Sequence, residues 1–232
     1  MHRQAILWLF ACLPDLRAGI FSQNTRCRLR TCDAAMDVTS NPIVIVLLCF
    51  GAYLAGSVLF AVPVCRAWQL PDPRALGSGN PGATNVYRAG GWKPALITLA
   101  LDAFKGWLPV WLAHLAGLSI LVQAMVALCA VTGHMIPLFY RFKGGKGVAT
   151  ALGAGLALAP VTTLIMAGIW LVIMWRWRIS ALASLIAIAS GPVISALLEP
   201  DTLPLFGLLT LLIVVRHRNN LIRLAQGRET GL

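Results

Sequence analysis

Charged side chains, and acidic ones above all, are scarce in this sequence. Of its 232 residues only 12% are charged, and Asp and Glu together number 8. A soluble domain would carry about a quarter charged residues, so the composition argues against a water-soluble globular fold. A hydrophobic fraction of 58% also excludes an intrinsically disordered chain. Because carboxylates are so few, a two-metal catalytic site is not predicted, and we expect neither a metal nor a cofactor.

Recognisable cysteine motifs are absent as well. The six cysteines include no Cys-x-x-Cys pair, and none lies at metal-ligand spacing from a histidine. Neither a zinc site nor a disulfide framework is therefore predicted. Three cysteines that lie in or beside apolar runs, Cys49, Cys65 and Cys129, are expected to behave as small hydrophobic residues.

Basic residues, by contrast, are abundant: 19 Lys and Arg stand against the 8 acidic residues, and the sequence pI is near 10.2. In a soluble protein this balance would suggest binding to nucleic acid. With a mean hydropathy of +0.77 the chain has little polar surface for such an interface, so no nucleic-acid partner is predicted. We attribute the excess to loops on the cytoplasmic side of a membrane and to an anionic substrate.

The first 35 residues differ from the rest of the chain. They contain a nine-residue apolar stretch, AILWLFACL, followed by a basic run, RCRLR. Nine residues cannot span a hydrocarbon core about 30 Å thick, which takes about 20 residues of helix. The stretch is similar to the apolar part of a signal peptide, but it has no clear cleavage site. We interpret residues 1–35 as an N-terminal extension with Met36 as the true start, and residues 36–232 as a single transmembrane domain.

The remainder is a series of apolar segments separated by charged loops. A helix through the longest segment would measure roughly 43 Å and so exceed the core. Pro160 near its middle lacks an amide hydrogen and interrupts a helix. This segment therefore predicts either one long crossing or two short ones that turn near Pro160. The segments are residues 42–64, 94–117, 119–139, 147–175, 179–198 and 203–215.

The distribution of charge favours two crossings. Basic residues are concentrated in the loops at 66–93, 140–146 and 176–178 and in the C-terminal tail, whereas Glu199 and Asp201 occupy an acidic loop. Only with two crossings do all the basic loops fall on one side, which the positive-inside rule assigns to the cytoplasm. We therefore predict an all-α polytopic membrane helix bundle of about seven transmembrane helices, with the N-terminus outside and the C-terminus cytoplasmic.

The first polar motif is the glycine-rich stretch GSGNPGATNVYR, residues 77–88. It contains Gly-x-Gly-x-x-Gly, but a dinucleotide site needs that pattern between a strand and a helix, and here a membrane span and a proline-rich segment precede it. Glycines nevertheless let backbone amides converge on an anion. The alternative is a solvated loop without a ligand. The polar side chains that favour phosphate binding are Ser78, Asn80, Thr84, Asn85 and Arg88.

A second motif, GHMIPLFYRFKGGKGVAT, covers residues 133–150. Its Gly-Gly-Lys-Gly differs from a Walker A loop, in which Ser or Thr follows the lysine, so ATP hydrolysis is not predicted. Lys143 and Lys146 among glycines at a helix N-terminus still predict an anion site, through charge, amide donors and the helix dipole. The alternative is a basic loop that binds lipid head groups. His134 is expected to form a hydrogen bond in helix packing rather than to act as a base.

The third motif, RHRNNLIRLAQGRE, spans residues 216–229. On one continuous helix Arg216, Asn219, Asn220 and Arg223 would be neighbours, and His217 would share a face with Asn220. We expect this face to line a pocket at the membrane interface. The alternative is a basic tail that stops transfer through the membrane.

Two opposite charges, Asp102 and Lys105, lie inside the second apolar segment. Charges within membrane helices are costly, so they usually pair and face the bundle interior. Their i, i+3 spacing permits a pair within one helix. We favour an ion pair that places the helix over a catalytic role.

Taken together, these motifs resemble those of the bacterial acyl-phosphate-dependent glycerol-3-phosphate acyltransferases, integral membrane enzymes of phospholipid synthesis. The similarity covers about residues 42–229, through AYLAGS, GSGNPGATNVYR, DAFKG, GHMIPLFYRFKGGKGVAT and RHRNNLIR in that order. The family usually has Ile-Pro after the Gly-Ser of the first span, where this chain has Val58 and Leu59. The resemblance implies transfer of a fatty acyl group from acyl phosphate to the 1-hydroxyl of sn-glycerol 3-phosphate, which yields lysophosphatidic acid and phosphate.

The resemblance also implies which residues bind the two phosphates. Lys146 and Ser78 would hold the phosphate of acyl phosphate or stabilise an oxyanion. Arg88 and Arg216 would clamp glycerol 3-phosphate. The substrate-binding positions implied are Gly77, Gly79, Asn80, Gly82, Thr84, Asn85, Arg88, Lys143, Gly144, Gly145, Gly147, Arg216 and Arg218.

The implied catalytic positions are Ser78, Lys146, His217 and Asn220. His217 and Asn220 would orient the attacking hydroxyl, with His217 or a substrate phosphate oxygen as the base. The implied partners are the two substrates, the bilayer of the cell's inner membrane with the site at its cytoplasmic face, and an enzyme that produces acyl phosphate. The alternative function is a small transporter or flippase for phosphorylated metabolites. A transporter would hold its substrate near the bilayer midplane, whereas these motifs lie in loops.

Overall fold

The computed structural model describes residues 41–231, so the predicted extension at residues 1–35 lies outside the described residues. The described part consists of helices and loops, with no strand in residues 41–231. Single turns of 3-10 helix, Leu138–Tyr140 and Pro200–Thr202, interrupt two of the loops. The α-helices of this part are α1 Pro42–Gly56, α2 Ala61–Ala67, α3 Ala83–Gly90, α4 Trp92–Leu115, α5 Ile120–Met135, α6 Val148–Leu158, α7 Pro160–Trp177, α8 Ser180–Leu198, α9 Leu203–Arg216 and α10 Arg218–Ala225.

Several of these helices are long and apolar enough to cross a membrane. Large apolar side chains such as Leu47, Leu164 and Leu197 are more than 60% exposed on the bundle surface, as expected of helices that face lipid. The predicted all-α membrane bundle is confirmed, whereas the count of seven spans and the orientation of the termini stay predictions. Within residues 41–231, five stretches are long and apolar enough to span: Pro42–Ala67, Trp92–Leu115, Ile120–Tyr140, Pro160–Trp177 and Ser180–Leu198, with a sixth if α9 and α10 count as one span.

The longest apolar run is broken where the sequence predicts. α6 ends at Leu158 and α7 begins at Pro160, and Ala159 between them is not helical. Because proline lacks an amide hydrogen, it is tolerated as the first residue of a helix and not in its interior. The turn contacts the acidic loop, since the amide of Thr162 donates to the carboxylate of Glu199 at 2.8 Å.

The same run returns to the end of the bundle from which it starts. Gly147, at its beginning, belongs to the second motif. Beyond its end, the hydroxyl of Ser180 lies 2.9 Å from the hydroxyl of Thr84 in the first motif. Residues of both motifs line one cavity. The chain therefore goes out and comes back, as two crossings require, although the number of crossings stays a prediction.

The first apolar segment, predicted as continuous over residues 42–64, is broken between α1 and α2. At the break the Ser57 hydroxyl donates to the carbonyl of Tyr53 at 2.8 Å and accepts from the amide of Leu138 at 3.2 Å. A serine that bonds to the backbone in this way competes with the helical hydrogen bonds. The partner at Leu138 is distant in sequence, which explains why the segment alone did not reveal the break.

The third motif does not form one continuous helix. α9 and α10 are bent by 64° at His217, so the predicted single helix through this motif is wrong. The apolar run of α9 ends at Val215, and the polar sequence after it turns aside at the end of the bundle. There Asn219, Asn220 and Arg223 line the same cavity as the first two motifs.

Small residues bring α4 and α6 into close contact. A Cβ at Gly106 of α4 would overlap the carbonyl oxygen of Thr150, and one at Gly153 of α6 would overlap that of Ala103. Membrane helices associate through this kind of close backbone packing, because lipid tails give no hydrophobic driving force between them. The short α6 is therefore fixed against α4, and the second motif, which immediately precedes it, is fixed as well.

Candidate active site

The three polar motifs meet at one end of the bundle, around a cavity of about 340 Å³. Each motif is attached to different membrane helices, so residues far apart in the chain become neighbours. Four cationic side chains contribute to the lining. The residues that line the cavity are Ser78, Gly79, Asn80, Gly144, Lys146, Val215, Arg216, Arg218, Asn219, Asn220 and Arg223.

The first motif forms one wall through the loop that precedes α3. Gly77 and Gly79 have positive φ values of 51° and 68°, which glycine adopts without steric cost, so the loop turns sharply here. Gly82 then caps the N-terminus of α3. The turn presents Ser78, Gly79 and Asn80 to the cavity, and their assignment as substrate-binding or catalytic residues stays a prediction.

Three further residues of this motif lie on α3 and contact other parts of the protein. The hydroxyl of Thr84 bonds with that of Ser180 on α8. The buried amide of Asn85 donates to two carbonyls of the preceding loop. The guanidinium of Arg88 donates to the carbonyl of Thr230 at 3.0 Å. These three side chains are not among those that line the cavity, so their assignment as ligands stays a prediction.

The second motif contributes Lys146, which is partly buried and lines the cavity. The pKa of this lysine is lowered from its ordinary value of 10.5 to about 8, chiefly by burial and also by neighbouring arginines, against the opposing charge of Glu229. Gly147, with a φ of 80°, caps the N-terminus of α6 directly after it. A lysine charge beside a helix N-terminus is the arrangement predicted for an anion site.

Arg216 holds the turn that carries this lysine. Its Nη2 donates to the carbonyl oxygens of Gly144 and Gly145, both at 2.9 Å, and its Nε donates to Gly145 at 3.2 Å. The guanidinium thus joins the end of α9 to the second motif. Since Arg216 also lines the cavity, it is available both to this turn and to a ligand.

His217 lies at the bend between α9 and α10 and is only 1% exposed. Its Nδ1 is 2.8 Å from the carbonyl of Ile213. Burial, together with the nearby charge of Lys146, lowers the pKa of this imidazole to about 4, so it is neutral at pH 7. Because a carbonyl only accepts, Nδ1 carries the proton and Nε2 is left as a hydrogen-bond acceptor.

A carboxylate that the sequence did not single out orders the third motif. Glu229 accepts hydrogen bonds from Nδ2 of Asn220 and from Nε of Arg223, both at 2.6 Å. Its side chain is 8% exposed. The sequence offered one sign that Glu229 has a role: it is the single acidic residue after the last apolar segment, among many basic ones.

A second, shallower cavity of about 570 Å³ adjoins the first and shares Gly79 and Gly144 with it. Lys143, predicted as a ligand, is exposed and lines this second cavity. Asp72 and Arg74 also line it and form an ion pair at 2.6 Å. The hydrogen bond from Arg74 holds the pKa of the Asp72 carboxyl below its ordinary value. The two lysines of the second motif therefore face different cavities.

The pair predicted inside the second apolar segment is present. Nζ of Lys105 lies 2.7 Å from Oδ1 of Asp102, and both side chains are nearly fully buried. His134 forms a hydrogen bond in helix packing, as expected, because its Nδ1 is 2.9 Å from the same ammonium. These three residues are not part of the cavity lining.

Fold and site together define a class of protein. The chain is an integral, multi-pass membrane protein with a cationic, glycine-lined cavity at one end of its helix bundle. Lysine, arginine and helix N-terminal amides in this arrangement suit phosphate. Within residues 41–231 no three His, Cys, Asp or Glu side chains are grouped so that they could hold a metal ion.

Comparison with known proteins identifies the family. The model of the family described as glycerol-3-phosphate acyltransferase matches residues 46–227, and the chain belongs to this family. It is 53% identical over 181 residues to a glycerol-3-phosphate acyltransferase of Hahella chejuensis, covering 78% of this chain and 93% of that protein. It is 50% identical over 183 residues to one of Pseudomonas putida, covering 79% and 97% of the two chains.

Two solved structures have the same fold. Both are crystal structures of PlsY, an integral membrane glycerol 3-phosphate acyltransferase, one in a glycerol 3-phosphate form and one in a lysophosphatidic acid form. The first superposes with a TM-score of 0.75 at 38% identity and the second with 0.73 at 37% identity. Each comparison covers 81% of this chain and 95% of the other.

Proposed function

We propose that this protein transfers a fatty acyl group from acyl phosphate to the 1-hydroxyl of sn-glycerol 3-phosphate and releases lysophosphatidic acid and phosphate. The observation that carries the proposal is the meeting of three distant motifs around one cationic cavity. Relatives named glycerol-3-phosphate acyltransferase, and crystal structures described as glycerol 3-phosphate and lysophosphatidic acid forms, support the acceptor and the product.

The cations of the cavity suit two phosphorylated substrates. Lys146 and Ser78 hold the phosphate of the donor or stabilise the oxyanion that forms at its carbonyl. Arg216 and Arg88 clamp glycerol 3-phosphate. Arg88 lies near enough to Lys146 for its charge to lower the pKa of that lysine, which supports its assignment to the same site.

The proposed reaction is a direct displacement. The 1-hydroxyl oxygen attacks the carbonyl carbon of acyl phosphate, the new ester bond forms, and the bond from that carbon to the phosphate oxygen breaks. The hydroxyl proton passes to His217 or to a phosphate oxygen of the substrate, and the leaving group is phosphate. Because acyl phosphate is already activated, a covalent acyl-enzyme is not required. The neutral His217, with Nε2 free to accept, suits either orientation of the hydroxyl or removal of its proton.

We place the site at the cytoplasmic face of the inner membrane. The basic loops and the three motifs share one end of the bundle, which the positive-inside rule assigns to the cytoplasm. There a donor with an acyl chain in the bilayer meets an acceptor dissolved in water. An enzyme that produces acyl phosphate is the expected partner, because the donor must be supplied at the same surface.

The test is an acyl-transfer assay with purified protein and labelled glycerol 3-phosphate. Acyl phosphate, acyl-CoA and acyl carrier protein are offered separately, and we expect product with acyl phosphate alone. Product with either other donor alone would refute the proposed donor, and no product with any of the three would refute the proposed activity. Lys146→Ala should lose most turnover while remaining folded; near-normal turnover would refute the oxyanion role.

A further inference from the structure

The buried ammonium of Lys105 joins two helices and the break in the first apolar segment. It lies 2.7 Å from the carboxylate of Asp102 on its own helix α4 and 2.9 Å from Nδ1 of His134 on α5. It also donates to the carbonyl of Val58, which lies in the break between α1 and α2. The ammonium therefore makes one ion pair and two hydrogen bonds. This arrangement is more than the helix-internal ion pair that the i, i+3 spacing predicts.

The ammonium also fixes the state of the histidine. A lysine ammonium only donates, so Nδ1 of His134 is the acceptor and the ring proton is on Nε2. Because Nδ1 is bound to Lys105, the edge of the ring that carries Nε2 is also held in position. His134 is 4% exposed, and its neighbours on that side belong to the second motif.

The second motif rests directly on His134. The amide of Gly145 donates to the backbone carbonyl of His134 at 3.0 Å. A Cβ at Gly145 would overlap Nε2 of the ring, and one at Gly144 would overlap the carbonyl oxygen of the same histidine. From the other side the guanidinium of Arg216 binds the carbonyls of both glycines. The turn before Lys146 is thus held between His134 and Arg216.

We propose that Asp102, Lys105 and His134 are positioning residues, which hold the Gly144–Lys146 turn in the geometry that binds phosphate. The proposal rests on the proposed function, because it concerns the affinity of the same cavity for glycerol 3-phosphate. The ion pair orients the imidazole, and the imidazole supports the turn. The turn presents Lys146 and, through the carbonyls of Gly144 and Gly145, positions Arg216, which is proposed to clamp glycerol 3-phosphate. These three residues do not line the cavity, so they act through the turn and not on the substrate.

The first test removes the charges without leaving one of them unpaired. In Asp102→Leu/Lys105→Met both charges are replaced by apolar side chains of similar size, a change that buried ion pairs often tolerate. We expect a folded protein that unfolds at a lower temperature than the wild type, because Nδ1 of His134 and the carbonyl of Val58 lose their donor. The Kd for glycerol 3-phosphate should rise roughly tenfold or more, since a small misplacement of a binding group weakens binding strongly. A folded variant with wild-type affinity would overturn the proposal, because the pair would then serve only the fold.

A second variant tests the same proposal if the first fails to fold. In His134→Asn the side-chain oxygen replaces Nδ1 as acceptor for Lys105, but the ring beside Gly145 is lost. We again expect a rise of roughly tenfold in Kd and in KM for glycerol 3-phosphate, with a smaller change in kcat. Unchanged affinity in folded His134→Asn would overturn the proposal. Thr210→Val is the control, because it removes another helix-to-helix hydrogen bond, a partly buried one to the carbonyl of Ile188; its affinity for glycerol 3-phosphate should stay at the wild-type value.

A double-mutant comparison tests the contact between Gly145 and the His134 ring. Gly145→Ala should weaken glycerol 3-phosphate binding because its methyl group overlaps the His134 ring. Combined with His134→Asn, the same substitution should cost less affinity than it does alone. Equal cost in both backgrounds would contradict the contact. Wild-type protein is assayed for acyl transfer in parallel: if it is inactive the proposed function fails, whereas an active wild type with unaffected variants refutes only the positioning role.

Discussion

Replacing Glu229 with glutamine is expected to loosen the third motif without changing the shape of the side chain. The carboxylate accepts from Asn220 and Arg223 at 2.6 Å each. Glutamine has one acceptor oxygen, so its amide nitrogen would face one of these donors. A hydrogen bond to a charged group contributes about 1.5–3 kcal/mol. Since Arg223 is 39% exposed and screened by water, we expect the lower part of that range, about 1.5–2 kcal/mol.

This loss converts into a measurable shift in thermal unfolding. For a chain of this size about 1 kcal/mol corresponds to roughly 2–4 °C in Tm, so Glu229→Gln should unfold roughly 3–8 °C below the wild type in detergent. Asp201→Asn, an exposed carboxylate in the acidic loop, serves as the control and should stay within about 0.5 kcal/mol of the wild type. Equal unfolding temperatures for Glu229→Gln and the wild type would refute the reasoning. The substitution should also lower the pKa of Lys146 further, since Glu229 is the group that raises it.

Three other outcomes are expected. Activity should fall as the pH rises through about 8, where the ammonium of Lys146 loses its proton; a pH–rate profile of Lys146→Arg, whose charge persists, should lack this step. Gly153→Ala should sharply reduce the yield of folded protein in size-exclusion chromatography, because its methyl group overlaps a backbone carbonyl, whereas Gly168→Ala, with open space around it, should not. Asn85→Ala should destabilise the protein by about 1–3 kcal/mol by leaving buried carbonyls unpaired, and a binding titration should show weaker affinity for glycerol 3-phosphate. Unchanged affinity in that variant would contradict the role of the loop.

The main features of the fold follow from the sequence because they depend on local chemistry. The length of the apolar segments predicts the spans. Pro160 predicts the break between α6 and α7, since a proline lacks the amide hydrogen of a helical residue whatever its tertiary surroundings. The break at Ser57 and the bend at His217 were not predicted. The break at Ser57 involves a partner brought close by tertiary structure, since the Ser57 hydroxyl accepts a hydrogen bond from the amide of Leu138. At the bend, His217 bonds to the carbonyl of Ile213 within α9, a local contact that the sequence pattern did not indicate.

The sequence identifies the polar residues of the motifs, but it does not show which of their side chains point into the cavity. Ser78 and Asn80 line the cavity, whereas the neighbouring Asn85 turns inward to hold the loop. All three are small polar residues in one motif, so their composition gives no means to separate them. Glu229 was missed for a related reason: its importance follows from the position of Asn220 on α10, which exists only because the chain bends at His217.

The convergence of the three motifs on one cavity has a consequence for biosynthesis. Lys146 is synthesised well before Arg216, whose guanidinium binds the carbonyls of the glycine turn that precedes this lysine. A nascent chain that has inserted only its first helices therefore lacks the guanidinium that holds this turn. We expect the predicted phosphate site to form only after the last apolar helix has been integrated, so a truncated polypeptide that lacks this helix should bind phosphate poorly.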